Sequence, residues 1–463
     1  MPLVAFLLAL FLLGGCATPP TAVGLTVDPF SAYLMAGDRL AASGRRMAAE
    51  EIYRQAAALR PADPVPYLRL AHLYQTWERP REGQAAVEAA ARLGAPTLEV
   101  ESLRAAFCAD LGDWEGVISH GSAVLQSDPS DQETRRRLAQ AYVALGEVEK
   151  AIGEYEVLQR SAPGDPQIGE RLGVLLAMRE PEAAWPYLQA ARTPLATGVL
   201  QMLEEGGETA YRLARIGQIC LAHGEPWLAA LALEQAVALR PAYADAQALL
   251  GEALRVLGRE EEALAHLTAA VEAAPQSALA QSLLGLHYLE AGEPRSARPY
   301  LEAAYDLDPA NPAFSLYLAR VYAALGWHDV AGAWADEALR LAPDDPDMWE
   351  AVARLYLEYG MTDRGVEAAR RLAELRPDDG VAYDLLGWAY FLNGDRHQAE
   401  ASLLQAVRLS PGLGLAYCHL GQLYSSVGDR ERARMYFIRA LDLPIDQDLR
   451  ERIEGFLDMP DMP

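Results

Sequence analysis

Pro241, Pro275, Pro309, Pro343, Pro377 and Pro411 follow one another at intervals of 34 residues. A proline lacks the backbone N–H that a helix interior needs, and it pushes its predecessor out of helical geometry. Six of them in phase therefore punctuate a unit that recurs, and a fixed period of this size constrains the fold more than any composition does. Pro444 falls one residue early in the next cycle. In the first half, Pro129 and Pro163 keep the interval, and Pro61 precedes Pro129 by twice that distance.

Alignment on the prolines divides the C-terminal half into seven units: 210–243, 244–277, 278–311, 312–345, 346–379, 380–413 and 414–447. The eighth residue of each is small: Gly217, Gly251, Gly285, Ala319, Ala353, Gly387 and Gly421. So is the twentieth: Ala229, Ala263, Ala297, Ala331, Gly365, Ala399 and Ala433. Small side chains at fixed offsets let two antiparallel helices approach closely. Tyr288, Tyr322, Tyr356, Tyr390 and Tyr424 recur at the eleventh position and fill the space beside them. Leu257-Gly258-Arg259, Ala291-Gly292-Glu293 and Asn393-Gly394-Asp395 separate a first helix, A, from a second, B, and glycine permits the left-handed turn that ends helix A.

This pattern resembles the tetratricopeptide repeat (TPR). The resemblance implies an all-α protein, an α-solenoid of about twelve helix-turn-helix units wound into a right-handed superhelix. Five less regular units, 30–63, 64–97, 98–131, 132–165 and roughly 166–192, extend it toward the N-terminus, and 98–131 departs most, with Val117 and Val124 where alanine is expected. The expected organisation is an N-terminal array over 30–192, an irregular insertion at 193–209 that reads as a loop with a short helix or as a join or bend between two superhelical halves, a C-terminal array over 210–447, and a capping helix and tail at 448–463. Leu449, Ile453, Phe456 and Leu457 share one side of that cap and suit the exposed apolar end of a solenoid.

Residues 1–15 carry a different signal. Leu3 to Leu13 is an unbroken apolar run, too short to span a bilayer and of the length of a secretory core. Leu13-Gly14-Gly15-Cys16 follows and resembles the lipobox of bacterial lipoproteins. That resemblance implies cleavage before Cys16, lipidation of Cys16 and attachment to a membrane through it, with residues 16–29 as a tether. Ala17 stands where an inner-membrane retention signal would place Asp. The implied location is the periplasmic face of the outer membrane, or the outer face of the cytoplasmic membrane in a cell with only one.

The formal net charge of −25 repels a phosphate backbone, so nucleic acid is not an expected partner. The eight histidines are scattered, with no HExxH pair, and no CxxC occurs. Cys108, Cys220 and Cys418 lie on units far apart along a solenoid that advances about 10 Å per repeat, beyond disulfide reach. Gly412-Leu413-Gly414 follows a helix, lacks a third glycine, and reads as an inter-repeat turn. Runs such as Glu260-Glu261-Glu262 read as a solvated face. No catalytic residues, metal ligands or cofactor are expected, and the chain is not expected to be an enzyme.

In TPR proteins the A helices line the concave groove, with positions 2, 5, 9, 12 and 13 facing it. The family's Lys/Asn clamp for chaperone C-terminal carboxylates is missing from these positions. They hold instead Asp384, Trp388 and Phe391, with Arg320 and Arg354 on the preceding units and Gln422 on the following one. Aromatics beside arginines are typical binding anchors, and the expected partner is a protein or peptide in the groove. Arg136 and Gln140 hold similar positions in the first half. The functional expectation is a lipid-anchored scaffold for assembly of an envelope machine: a pilus, a secretion complex or exopolysaccharide export. A periplasmic holdase and a glycan-binding or enzymatic solenoid stand as alternatives.

Overall fold

A computed structural model describes residues 28–458. The leader, Cys16, nearly all of the tether and the last five residues lie outside the described residues. Within them the secondary structure is helical throughout: twelve antiparallel hairpins, one unpaired helix and a terminal helix. Pro29–Ala42 and Arg46–Leu59 form the first hairpin; Gly414–Ser426 and Arg430–Leu441 form the twelfth. No helix among the described residues is long and apolar enough to cross a membrane.

The 34-residue period is the period of the hairpins. Helix A of one unit ends at a glycine with positive φ, +74° at Gly258, +76° at Gly292 and +86° at Gly394. Helix B ends two residues before the repeat proline, as at Leu239 ahead of Pro241. Aspartates then cap several of the next A helices; the Asp345 and Asp379 carboxylates accept from the amides of Asp347 and Val381.

Close approach within each hairpin has a specific cause. A Cβ placed on Gly217 would stand 2.4 Å from Leu233, and one on Gly421 would stand 2.5 Å from Phe437. Gly251, Gly285 and Gly387 meet Leu267, Leu301 and Leu403 in the same way. In the two units where the eighth residue is Ala319 or Ala353, the facing residue shrinks to Ala335 or Ala369, and all four are fully buried. The two positions change together: where the eighth residue carries a methyl group, the facing residue is small, and where it is glycine, the facing residue is large.

Several neighbouring hairpins are joined by tyrosines at the eleventh position. Tyr322 Oη donates to Glu302 at 2.7 Å and Tyr356 Oη to Asp336 at 2.9 Å, each acceptor lying on helix B of the preceding hairpin. Tyr74 does the same with Glu50 at 2.8 Å. The irregular unit 98–131 still forms a hairpin, Thr97–Asp110 with Trp114–Ser127, and buries Val117 and Val124 almost completely.

The stretch 193–209, outside the repeat register, holds a short helix at a bend between the two arrays. It contains a helix, Pro194–Glu205, capped by Thr193, with Leu195, Ala196, Val199 and Met202 buried. This unpaired helix packs on Pro166–Arg179, Pro181–Ala191 and Thr209–Ala222 and turns the solenoid back on itself. Gln132–Ala144 then touches Pro226–Leu239, Trp114 meets the Trp227 ring edge-on at 5.3 Å, and Arg171 pairs with Glu225 at 2.6 Å.

The solenoid does not leave an open-ended trough. The twelfth hairpin touches the first, and the terminal helix Gln447–Asp458 sets Arg450 over the Trp77 ring at 5.0 Å. Leu449 and Ile453 of that helix are buried and Phe456 stacks on Phe437 at 5.2 Å. The terminal helix therefore covers the last repeat and also faces the beginning of the chain. The two arrays meet at both ends and form a closed circuit.

Candidate functional site

In the C-terminal array the A helices of successive hairpins touch one another directly, whereas the B helices make no comparable contact among the described residues. Pro346–Glu358 touches Gly380–Leu392, which touches Gly414–Ser426. Elements that converge in this way form the inner layer of a curved stack, so side chains on their free face look into the groove.

Three aromatic rings form a continuous stack on that layer. Phe391 stacks on Trp388 with centroids 5.1 Å apart, and Trp388 stacks on His419 at 4.2 Å with planes 12° apart. The His419 Nδ1 proton goes to Asp384 Oδ1, at 2.8 Å, because a carboxylate can only accept. Arg354, Leu357, Glu358, Asp384, Leu385, Trp388, Leu415 and His419 line one cavity of about 330 Å³.

The six groove residues expected from sequence take distinct places. Arg354, Asp384 and Trp388 share the cavity, and Phe391 extends the stack from it. Arg320 lies in a neighbouring cavity of about 510 Å³ with Glu290 and Tyr359, and Glu358 borders both. Gln422 is half-buried, and its Oε1 has no hydrogen-bond partner among the described residues.

Two of these placements correct the sequence reading. Asp384 is 4% exposed, so its carboxylate serves His419 and does not present itself to a partner. Trp388 and Phe391 are half-buried rather than freely exposed, because each ring covers part of the other. Arg354 remains exposed and is held by Glu350 at 2.8 Å.

His419 is the member that sequence reasoning missed. It stands at the sixth position of its unit, outside the five positions taken to face the groove. The signal available was the Asp384–His419 spacing, one residue more than a repeat, which sets the two on adjacent A helices. In the first half, Arg136 and Gln140 share a smaller cavity of about 300 Å³ with Tyr155 and Arg171, and Arg136 is tied to Asp165 at 2.7 Å.

No group of three or more His, Cys, Asp or Glu side chains among the described residues is placed to hold a metal ion. Cys108, Cys220 and Cys418 are free and buried, and burial raises all three thiols, Cys108 to about 11 and Cys418 to about 12. A thiol so raised is protonated at neutral pH and is a poor nucleophile.

Stacked hairpins with an inner recognition layer define a class, the helical-repeat scaffold for protein–protein interaction. Models of the tetratricopeptide repeat match residues 109–170 and 288–355, 215–278, and 381–412 and 415–444. The chain belongs to the tetratricopeptide-repeat family.

Among solved structures it is similar to a tetratricopeptide repeat protein from Parabacteroides merdae, with 20% identity over 54% of this chain and 100% of that one, at a TM-score of 0.44. It is also similar to yeast Tom70, with 16% identity over 92% of this chain and 94% of that one, at a TM-score of 0.42. Pseudomonas aeruginosa pilF is similar over 46% of this chain and 96% of its own, with 17% identity and a TM-score of 0.36. A search of curated protein sequences found no match.

Proposed function

We propose that this chain is a lipid-anchored, non-enzymatic scaffold of a bacterial cell envelope, which holds a protein or peptide against its inner helical layer during assembly of an envelope machine. The observation that carries the reading is the half-open Phe391–Trp388–His419 stack beside Arg354. An aromatic stack flanked by an exposed guanidinium offers a partner apolar area with little side-chain entropy to lose and a charge-assisted hydrogen bond. Anchorage rests on the apolar run Leu3–Leu13 and the Leu13-Gly14-Gly15-Cys16 motif that follows it. With a net charge of −25, the chain needs a hydrophobic attachment to stay at an anionic membrane. Pilus, secretion and exopolysaccharide systems are the machines such a scaffold would serve.

Two substitutions test the two halves of the proposal. Trp388→Ala with Phe391→Ala is expected to lose the captured partner in pull-downs from native cells, with helicity by circular dichroism unchanged. Cys16→Ser is expected to abolish fatty-acid labelling and to move the protein from the membrane fraction to the soluble one. An unchanged pull-down profile from a folded double variant removes this site, and unlabelled wild-type protein removes the anchor.

A further inference from the structure

The circuit is closed in two places, and the two closures are built differently. At the turn around Pro194–Glu205 a single buried apolar cluster runs without a break from Ala139 to Ala263. At the other closure the apolar core is interrupted. One cluster covers the first hairpins up to Phe107, another covers the last hairpins and the terminal helix, and partly buried Met47 is the residue packed against both.

What joins these ends is mostly polar. The Met47 amide donates to Asp442 Oδ1 at 3.1 Å, the Arg46 guanidinium donates to the Asp442 carbonyl, and the Trp77 indole N–H donates to the Leu441 carbonyl at 2.7 Å. Arg450 completes the seam, 2% exposed and lying over Trp77. Its Nη1 and Nη2 have no hydrogen-bond partner among the described residues. Burial and the like charge of Arg79, which itself holds Glu50 at 3.2 Å and Glu82 at 2.5 Å, disfavour the Arg450 guanidinium, while Glu454, Glu82 and Glu50 offset part of that cost. A buried guanidinium with unmade hydrogen bonds penalises the closed form, and opening hydrates it.

We infer that this seam is a clasp: the solenoid opens and closes between its first two hairpins on one side and its twelfth hairpin with the terminal helix on the other, while the turn at Pro194–Glu205 stays shut. Burial of Trp77 and three hydrogen bonds favour closure; the stranded donors of Arg450 oppose it. Opening gives a long partner sideways access to the inner layer, a consequence that rests on the groove reading above. The clasp itself is tested without any partner.

The experiment is hydrogen exchange by mass spectrometry on the purified full chain, together with small-angle X-ray scattering. Three variants are compared with wild type. Arg450→Met removes the stranded donors and keeps an apolar side chain over Trp77. Asp442→Ala removes the acceptor of the Met47 amide, and Trp77→Phe removes the indole donor while keeping a ring.

Terminal repeats fray in any solenoid, so fast exchange at the ends decides nothing. What decides is an effect carried across the seam. Arg450→Met, a change in the terminal helix, is expected to slow exchange of residues 46–60 about tenfold and reduce the radius of gyration. Asp442→Ala and Trp77→Phe are expected to speed exchange of 46–60 and 447–458 together, about tenfold, with 226–263 unchanged. If seam amides exchange as slowly as those at the turn and scattering is the same for all four proteins, the closure is permanent and the inference fails. It fails equally if Arg450→Met leaves residues 46–60 unaffected or speeds them.

Discussion

At the residue scale, the eighth and twenty-fourth positions of each unit act as one packing volume. Ala in place of Gly217 gains about 1 kcal/mol of helix propensity but drives a methyl group into Leu233, an overpacking that costs about 1–3 kcal/mol. Gly217→Ala is therefore expected to lower the urea midpoint. In a Leu233→Ala background the clash is gone, and the same change is expected to raise stability by about 1 kcal/mol. Urea titrations of the four proteins check this sign reversal, and additive effects would contradict it. The small residues were legible in the sequence because their spacing is strict. Their partners were not, since Leu233, Ala335 and Phe437 look unrelated until a hairpin brings each opposite its small residue. A second residue-scale expectation concerns Cys108, Cys220 and Cys418. Buried and held protonated, they should resist a thiol reagent at pH 8 and react fully once the chain is denatured, as absorbance of the released chromophore would report.

At the scale of elements, hairpins were readable because proline and glycine mark their ends by backbone geometry alone. A short helix or a bend at 193–209 was readable from the break in register, but the packing of Pro194–Glu205 was not, because it has no B partner and belongs to no repeat. Its role emerges only from the surfaces it packs between. Joints between hairpins depend on tyrosine hydroxyls that donate to carboxylates of the preceding unit. Burial, then the hydrogen bond to Glu302, pushes Tyr322 up to about 12; burial, then the bond to Glu400, does the same for Tyr424. A pKa raised above its unfolded value marks stability that is complete below about pH 10 and is lost as pH rises toward 12. The urea midpoint is thus expected to fall steeply across pH 10–12. The fall should be shallower in a Tyr322→Phe, Tyr424→Phe protein, which starts lower. Parallel curves would show that these joints do not titrate.

At the scale of the molecule, a regular repeat predicts a solenoid but not where its ends go. Path depends on small rotations summed over twelve hairpins and on one unpaired helix, and no local sequence pattern encodes that sum. The candidate site was legible in part for a related reason. Position nine delivers Arg320, Arg354, Trp388 and Gln422 to the groove-facing side of their A helices, but His419 joins Trp388 only when two A helices converge. The central claim is that the protein works by holding a partner on its inner layer. The most direct test replaces Phe391 with a photo-crosslinking amino acid in the native cell, and in parallel replaces Asp344, whose side chain is 88% exposed. Irradiation is expected to give discrete covalent adducts from position 391 and none from position 344. Adducts from 344 alone, or the same adducts from both, would contradict it.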